Sequence, residues 1–318
     1  GATVSVIDTV ANTVLGVVSV GSQPSLVAAA SGRGYVSLFG AGALAMLDGM
    51  ASAQTTATAP EAMGVAYLDG RVYVGSRSGK RVTVLDALSG QVVAAISAPG
   101  PIYALAANPA NGRLYAVDAA NDRLYVFDSV SGALAATLAV GRQDVYDGGQ
   151  GLAVDHLHGR VYVANYADGS ITVVDDCGEV EPSPTPSVTA TPGAHRAWLP
   201  VLVHEVGAVV YDARPGAASS QDNLARLPTS ARAVAADAAT GRIYAAQSDG
   251  GIAVFESNLR LAAMLNTKDA ASTPAGALVA ANGRVYASYP LQDRVLIGDS
   301  AGAAYGRAWD WRLAWPRM

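Results

Sequence analysis

The chain is poor in charge. Of its 318 residues only 15% are charged, against 51% hydrophobic. That balance excludes a disordered chain and supplies ample material for a core. Cysteine is nearly absent. The one copy, Cys177, excludes an intramolecular disulfide and a zinc site of about four ligands, and leaves an intermolecular disulfide as its oxidised option. There is no basic block, and a net charge of −5 with a pI near 5.3 argues against nucleic acid as a partner. No apolar run approaches the roughly 18 residues of a spanning helix. The nearest, "AWLPVLVHEVGAVVY", is broken by His204 and Glu205, so no transmembrane segment is expected. No Asn-x-Ser/Thr sequon occurs, so N-glycosylation by that signal is not expected. The chain opens without Met on "GATVSVID", already a strand pattern, which reads as a processed or cropped chain, a form consistent with a removed signal. Helical periodicity is weak throughout, and alternation dominates.

What is present is a repeat. "GRGYVSL", "DGRVYVGS", "NGRLYAVD", "HGRVYVAN", "TGRIYAAQ" and "NGRVYASY" each place a Gly turn, an Arg and a Tyr ahead of alternating apolar residues. The tyrosines are Tyr35, Tyr73, Tyr115, Tyr162, Tyr244 and Tyr286, spaced 38, 42, 47, 82 and 42 residues apart. The long gap predicts a hidden unit, and "HRAWLPVL" aligns there with Trp198 in the tyrosine place. A second signature follows each hairpin, a short apolar strand ending in an acid: "VSVID", "LAMLD", "VTVLD", "LYVFD", "ITVVD", "AVVYD", "IAVFE" and "VLIGD". Units of about 42 residues with four short strands predict an all-β fold, a β-propeller of about seven four-stranded blades. The abundant Ala and Gly suit the close approach of blades near the axis.

These segments, "VSVIDTVANTVLGVVSVGSQPSLVAAA" and "GRVYVAN" above all, resemble the YVTN-type propeller repeats of secreted bacterial and archaeal surface proteins. The likeness covers nearly the whole chain outside residues 176–195. It departs from the family in a decayed fifth unit and in the loss of the family's Thr from most copies. The resemblance implies a fold rather than an activity, because such propellers serve as adhesins, surface-layer parts and lactonase-like or quinoprotein-like enzymes.

Two features interrupt the repeat. "DDCGEVEPSPTPSVTATPGAHRAWLP" holds five prolines, and aligns as an insertion in the fifth unit. Such a tract lacks ladder donors and forms semi-rigid spacers or O-glycosylated stalks. Ser183, Thr185, Ser187, Thr189 and Thr191 are the candidate acceptors. The domain reading is therefore 1–175 for a closing strand and four blades, 176–195 for the insertion, and 196–318 for the remaining blades and a Trp-rich tail. The second feature is a surplus acid-ended strand at the N-terminus. It either builds a partial eighth blade with the tail or is donated to a neighbouring chain, as in fibres formed by strand addition. Val4, Val6, Trp309, Trp311 and Trp315 are the interface candidates.

Candidate chemistry is thin. Of the four histidines, His156 and His158 lie in "DHLHGR", the hairpin turn that reads "NPANGR" and "DAATGR" in other units, and are expected to face solvent. The long loop "GRQDVYDGGQG" carries Asp144, Tyr146, Asp147 and Gln150. Asp144 and Asp147 are its candidate calcium ligands, since that cation prefers oxygen donors, although the spacing matches no loop signature. Acids repeated once per unit are expected to satisfy turn amides. No Gly-x-Ser-x-Gly motif occurs, and no cofactor is expected. The expected function is a secreted, non-catalytic, structural or adhesive component of the cell surface. Its partners would be other protein chains, itself included, or a surface polymer or glycan. A lactonase-like or quinoprotein-like enzyme is the alternative.

Overall fold

The computed structural model describes residues 2–8, 13–51, 53–143, 151–176, 210–212, 231–247, 250–265, 277–281, 283–289, 294–299 and 304–305. The hairpin comes first, β1 (Thr3–Asp8) and β2 (Thr13–Ser19). Blade one is β3 (Pro24–Ala30), β4 (Arg33–Leu38), β5 (Ala43–Asp48) and β6 (Gln54–Ala57). Blade two is β7 (Ala62–Leu68), β8 (Arg71–Ser76), β9 (Arg81–Asp86) and β10 (Val92–Ser97). Blade three is β11 (Ala104–Asn108), β12 (Arg113–Asp118), β13 (Arg123–Asp128) and β14 (Leu134–Ala139). Blade four is β15 (Leu152–Asp155), β16 (Arg160–Asn165), β17 (Ser170–Asp175) and β18 (Val210–Asp212). Blade five is β19 (Ala231–Asp237), β20 (Arg242–Gln247), β21 (Ile252–Phe255) and β22 (Leu261–Leu265). Blade six is β23 (Ala277–Ala281), β24 (Arg284–Tyr289), β25 (Arg294–Asp299) and β26 (Ala304–Tyr305). The protein is an all-β propeller, and its strands pair in sequence order within each blade.

Second and third strands are apolar on both faces because each sheet is covered by a neighbour on either side. β12 and β13, for example, bury their central residues almost completely. Five core clusters lie between consecutive blades, one per seam. Each seam takes the repeated tyrosine of the earlier blade. Tyr35, Tyr73, Tyr115, Tyr162 and Tyr244 are all at most 2% exposed. The close approach expected near the axis is seen at Gly64 in the innermost strand of blade two. A Cβ there would stand 2.8 Å from the Leu105 backbone nitrogen and 2.9 Å from the Ala104 carbonyl carbon, atoms that cannot step aside.

Three expectations are corrected. Among the described residues there are six four-stranded blades, not seven. "AVVYD" is not the third strand of a fifth blade: its β18 lies parallel on the edge of blade four, Val173 opposite Val210 and Asp175 opposite Asp212. The blade carrying Tyr244 packs directly on the one carrying Tyr162, with Ile171 and Val173 against Val234, Ile243 and Phe255. The insertion therefore joins the third and fourth strands of blade four rather than interrupting inner strands. The physical reason is that proline cannot donate within a buried ladder, whereas an outer edge tolerates it. Finally, the partial blade is the hairpin β1–β2, which adds to six blades rather than forming an eighth. It repeats the third-and-fourth-strand pattern, and Val4 and Val6 pack with Val18, Val20, Val36, Leu38 and Leu47 on blade one.

Gly64→Ala is expected to destabilise the ring by about 1–3 kcal/mol, the cost of forcing an extra methyl into a packed seam. Urea unfolding of the variant beside the native chain checks this. An unchanged midpoint would remove the close-approach account.

Candidate functional site

Antiparallel pairing puts the turns between first and second strands and between third and fourth strands at one end of the ring. Polar side chains concentrate there, and they bridge blades. The Tyr35 hydroxyl donates to the Ala87 carbonyl at 3.1 Å, and Tyr73 to Ser129 at 3.2 Å. Both acceptors directly follow the acid of the next blade's third strand. Arg33 adds donations to the Ala87 and Leu88 carbonyls.

The same place in blade four is Asp176, whose side chain is fully buried. Asn108 and Asn111 donate to one carboxylate oxygen at 2.7 and 2.6 Å, and Arg113 donates to the other at 2.7 Å. Burial first, and the Asp176 charge second, push the Tyr115 phenol far above its ordinary pKa. Between blades four and five the matching residues are Asp155, His158 and Arg160. His158 Nδ1 lies 2.8 Å from a buried Asp155 carboxylate oxygen, and Arg160 donates to the Ser257 carbonyl. A Cβ on Gly241 would meet both the His158 ring and Ser257 Cβ, so this trio is gathered at one seam. It has the composition of a nucleophilic triad. Its place in the repeat gives the simpler account: His158 stands where Asn111 stands, and Ser257 where Asp176 stands. His156 and His158 are both exposed as expected, and His158 is in addition held by a carboxylate.

The repeated acids do satisfy turn amides. Asp86 Oδ1 accepts from Leu88 N, Ser89 N and Ser89 Oγ, and Asp128 Oδ1 accepts from Val130 N, Ser131 N and Ser131 Oγ. These bonds hold both carboxyls below their ordinary value. The largest cause is the Ser89 amide for Asp86 and the Ser131 hydroxyl for Asp128. At the opposite end, Arg142 pairs with Asp168 at 2.7 Å, and Gln143 donates to Asn165 Oδ1 at 2.8 Å. This pins the start of the long loop.

Large apolar side chains are exposed as well. The turns after Asp48, Asp86 and Asp128 hold Met50, Leu88 and Val130, 44%, 74% and 81% exposed, whereas the matching place after Glu256 holds exposed Asn258. The outer strands add Leu15, Val17, Val92, Val93, Leu134, Leu261 and Met264.

Of the residues singled out from the sequence, Val4 and Val6 lie on β1, half-buried against blade one. Asp144, Tyr146, Asp147, Gln150, Cys177, Ser183, Thr185, Ser187, Thr189, Thr191, His195, Trp198, His204, Trp309, Trp311 and Trp315 lie outside the described residues. Sequence reasoning missed the Asp176 cluster. Its signal was the second Asp of "DDC", where the other units carry an uncharged residue, beside the two Asn of "NPANGR". Among the described residues no group of three metal-ligating side chains gathers, and no helix is long and apolar enough to cross a membrane. No protein-family model matches the chain, and no curated protein matches it.

Arg113→Ala is expected to cost about 3–5 kcal/mol, because it strands a buried carboxylate. Arg142→Ala, at a largely exposed pair, should cost under about 1 kcal/mol. Denaturant titration of both variants tests the contrast, and equal losses would sink it. The lowered carboxyls also set a pH dependence. Their stabilisation is fully present above the ordinary 3.8 and is lost as pH falls through the depressed folded-state value. A chain with Asp86→Ala and Asp128→Ala should therefore melt below the native chain at pH 7, with the gap narrowing in acid. A gap that widens in acid would refute the assignment.

Proposed function

We propose that this is a secreted β-propeller of the YVTN-repeat type, working as a non-catalytic structural or adhesive component of an extracellular surface. One observation carries the reading. The polar side chains that recur from blade to blade are used in bonds between blades and within turns, while the turns after three of the repeated acids expose Met50, Leu88 and Val130. Exposed apolar side chains at regular places on a rigid ring form an adhesive surface for protein chains or a surface polymer. The Asp176 cluster supports a second part of the reading. Four neighbours, Asn108, Asn111, Arg113 and the Gly159 carbonyl that accepts from Asp176 N, fix the last residue before the Pro/Ser/Thr tract. A stalk or spacer needs such a rigid root. In this reading Ser183, Thr185, Ser187, Thr189 and Thr191 carry O-linked sugar, and Cys177 stands at the stalk's base.

Fractionation of the source cells is the direct test. The chain is expected in the surface or secreted fraction, with an intact mass above 32.2 kDa by hexose steps. Recovery from the cytosol at the unmodified mass would overturn the reading.

A further inference from the structure

The hairpin β1–β2 repeats the third-and-fourth-strand pattern, so its positions match those of the blades. Each of four outer strands carries a bulge just before a fixed place. In β2 that place is Gly16, opposite Val6. In β10, β14 and β22 it is Ala94, Ala136 and Ala263, opposite Val84, Val126 and Val254. Three of the four places thus hold alanine, and the hairpin alone holds glycine. The backbone of Gly16 is not left-handed, so its conformation does not call for glycine. Space does. A Cβ there would stand 2.4 Å from the Cε methyl of Met50 and 3.9 Å from its sulfur, and no other atom lies within 4 Å of that point. Glycine inside a strand marks such a close approach.

Met50 stands two residues after the acid of β5, where the next two blades hold Leu88 and Val130. It is less exposed than either. Its flexible thioether reaches from the turn of blade one to β2, and its methyl fills the room that the missing Cβ leaves. The contact matters because the hairpin is a sheet of only two strands. Such a sheet is marginal in water and depends on what it packs against. Val4, Val6, Val18 and Val20 supply the buried part of that packing, and Met50 supplies a part that water reaches.

We propose that Met50 is an oxidation site through which hydroperoxides loosen the hairpin from blade one. A sulfur lone pair takes one oxygen from the oxidant, the O–O bond breaks, and the thioether becomes a sulfoxide. With hydrogen peroxide the leaving molecule is water. The sulfoxide is polar where the thioether was apolar. Keeping its methyl against Gly16 would press the S–O group onto the apolar side of the hairpin, so the side chain turns to water and the contact is lost. The other described methionines lack this role. Met264 is exposed on the outer strand of a complete blade, and Met46 and Met63 are buried.

Dilute hydrogen peroxide added to the intact chain tests this, with peptide mass mapping and hydrogen exchange as readouts. Met50 is expected to gain an oxygen before Met46 and Met63. Exchange across residues 3–8 and 13–19 should rise about tenfold in step with the Met50 sulfoxide, while β12 and β13 stay protected. Met50→Leu should keep the hairpin slow and remove its response to peroxide, and Met264→Leu should leave the response intact. Met50→Gln, polar without any oxidant, should exchange fast from the start. Four results would each overturn the proposal: Met50 resisting peroxide while Met264 reacts, sulfoxide forming without faster exchange, a full response surviving in Met50→Leu, or slow exchange in Met50→Gln. None of them touches the surface role, which fractionation tests separately.

Discussion

A tyrosine buried between consecutive blades is the contact on which the ring depends. A lone four-stranded sheet of this sequence is apolar on both faces and has no stable existence in water. The ring solves this by stacking, so each face is buried by a neighbour. The tyrosine adds what stacking lacks. Its ring contributes a large apolar area, and at the first two seams its hydroxyl also reaches a turn carbonyl of the following blade. One such bond is worth only about 1 kcal/mol net. Its value is geometric, because it ties blade one to blade two and blade two to blade three at a fixed point.

The other polar features follow from that constraint. The acceptor must be held still, and the acid one residue earlier does so by binding the turn's amides and its serine hydroxyl. Where blade four changes the acceptor residue to Asp176, the earlier blade changes with it. Two asparagines and an arginine surround the carboxylate and satisfy both of its oxygens. The Asp155–His158 pair is the same adaptation one seam further on. A histidine and a buried acid in contact invite a catalytic reading. Position in the repeat explains them without one.

The propeller was legible because its signal is periodic: Gly-Arg-x-Tyr and the acid-ended strand set the blade and its register in every described unit. The acids' turn role was legible for the same reason. The seam between blades four and five was not. Trp198 imitates the tyrosine place in spacing and in its preceding Arg, and spacing alone cannot tell a strand from a tract whose prolines bar it from a ladder. The Asp176 cluster escaped because its members lie more than sixty residues apart, brought together only when blade three meets blade four. Such contacts have no local pattern.

The insertion's position reconciles the regular ring with its one irregular unit. A tract between inner strands would break two seams at once. It leaves instead from the end of the third strand, where Asp176 is clamped by Asn108, Asn111 and Arg113. The inner three strands of blade four keep their full ladders, Arg160 opposite Asp175 to Asn165 opposite Ser170. The connection between β17 and β18 thus leaves the inner ladders of blade four, and the seams they form, continuous.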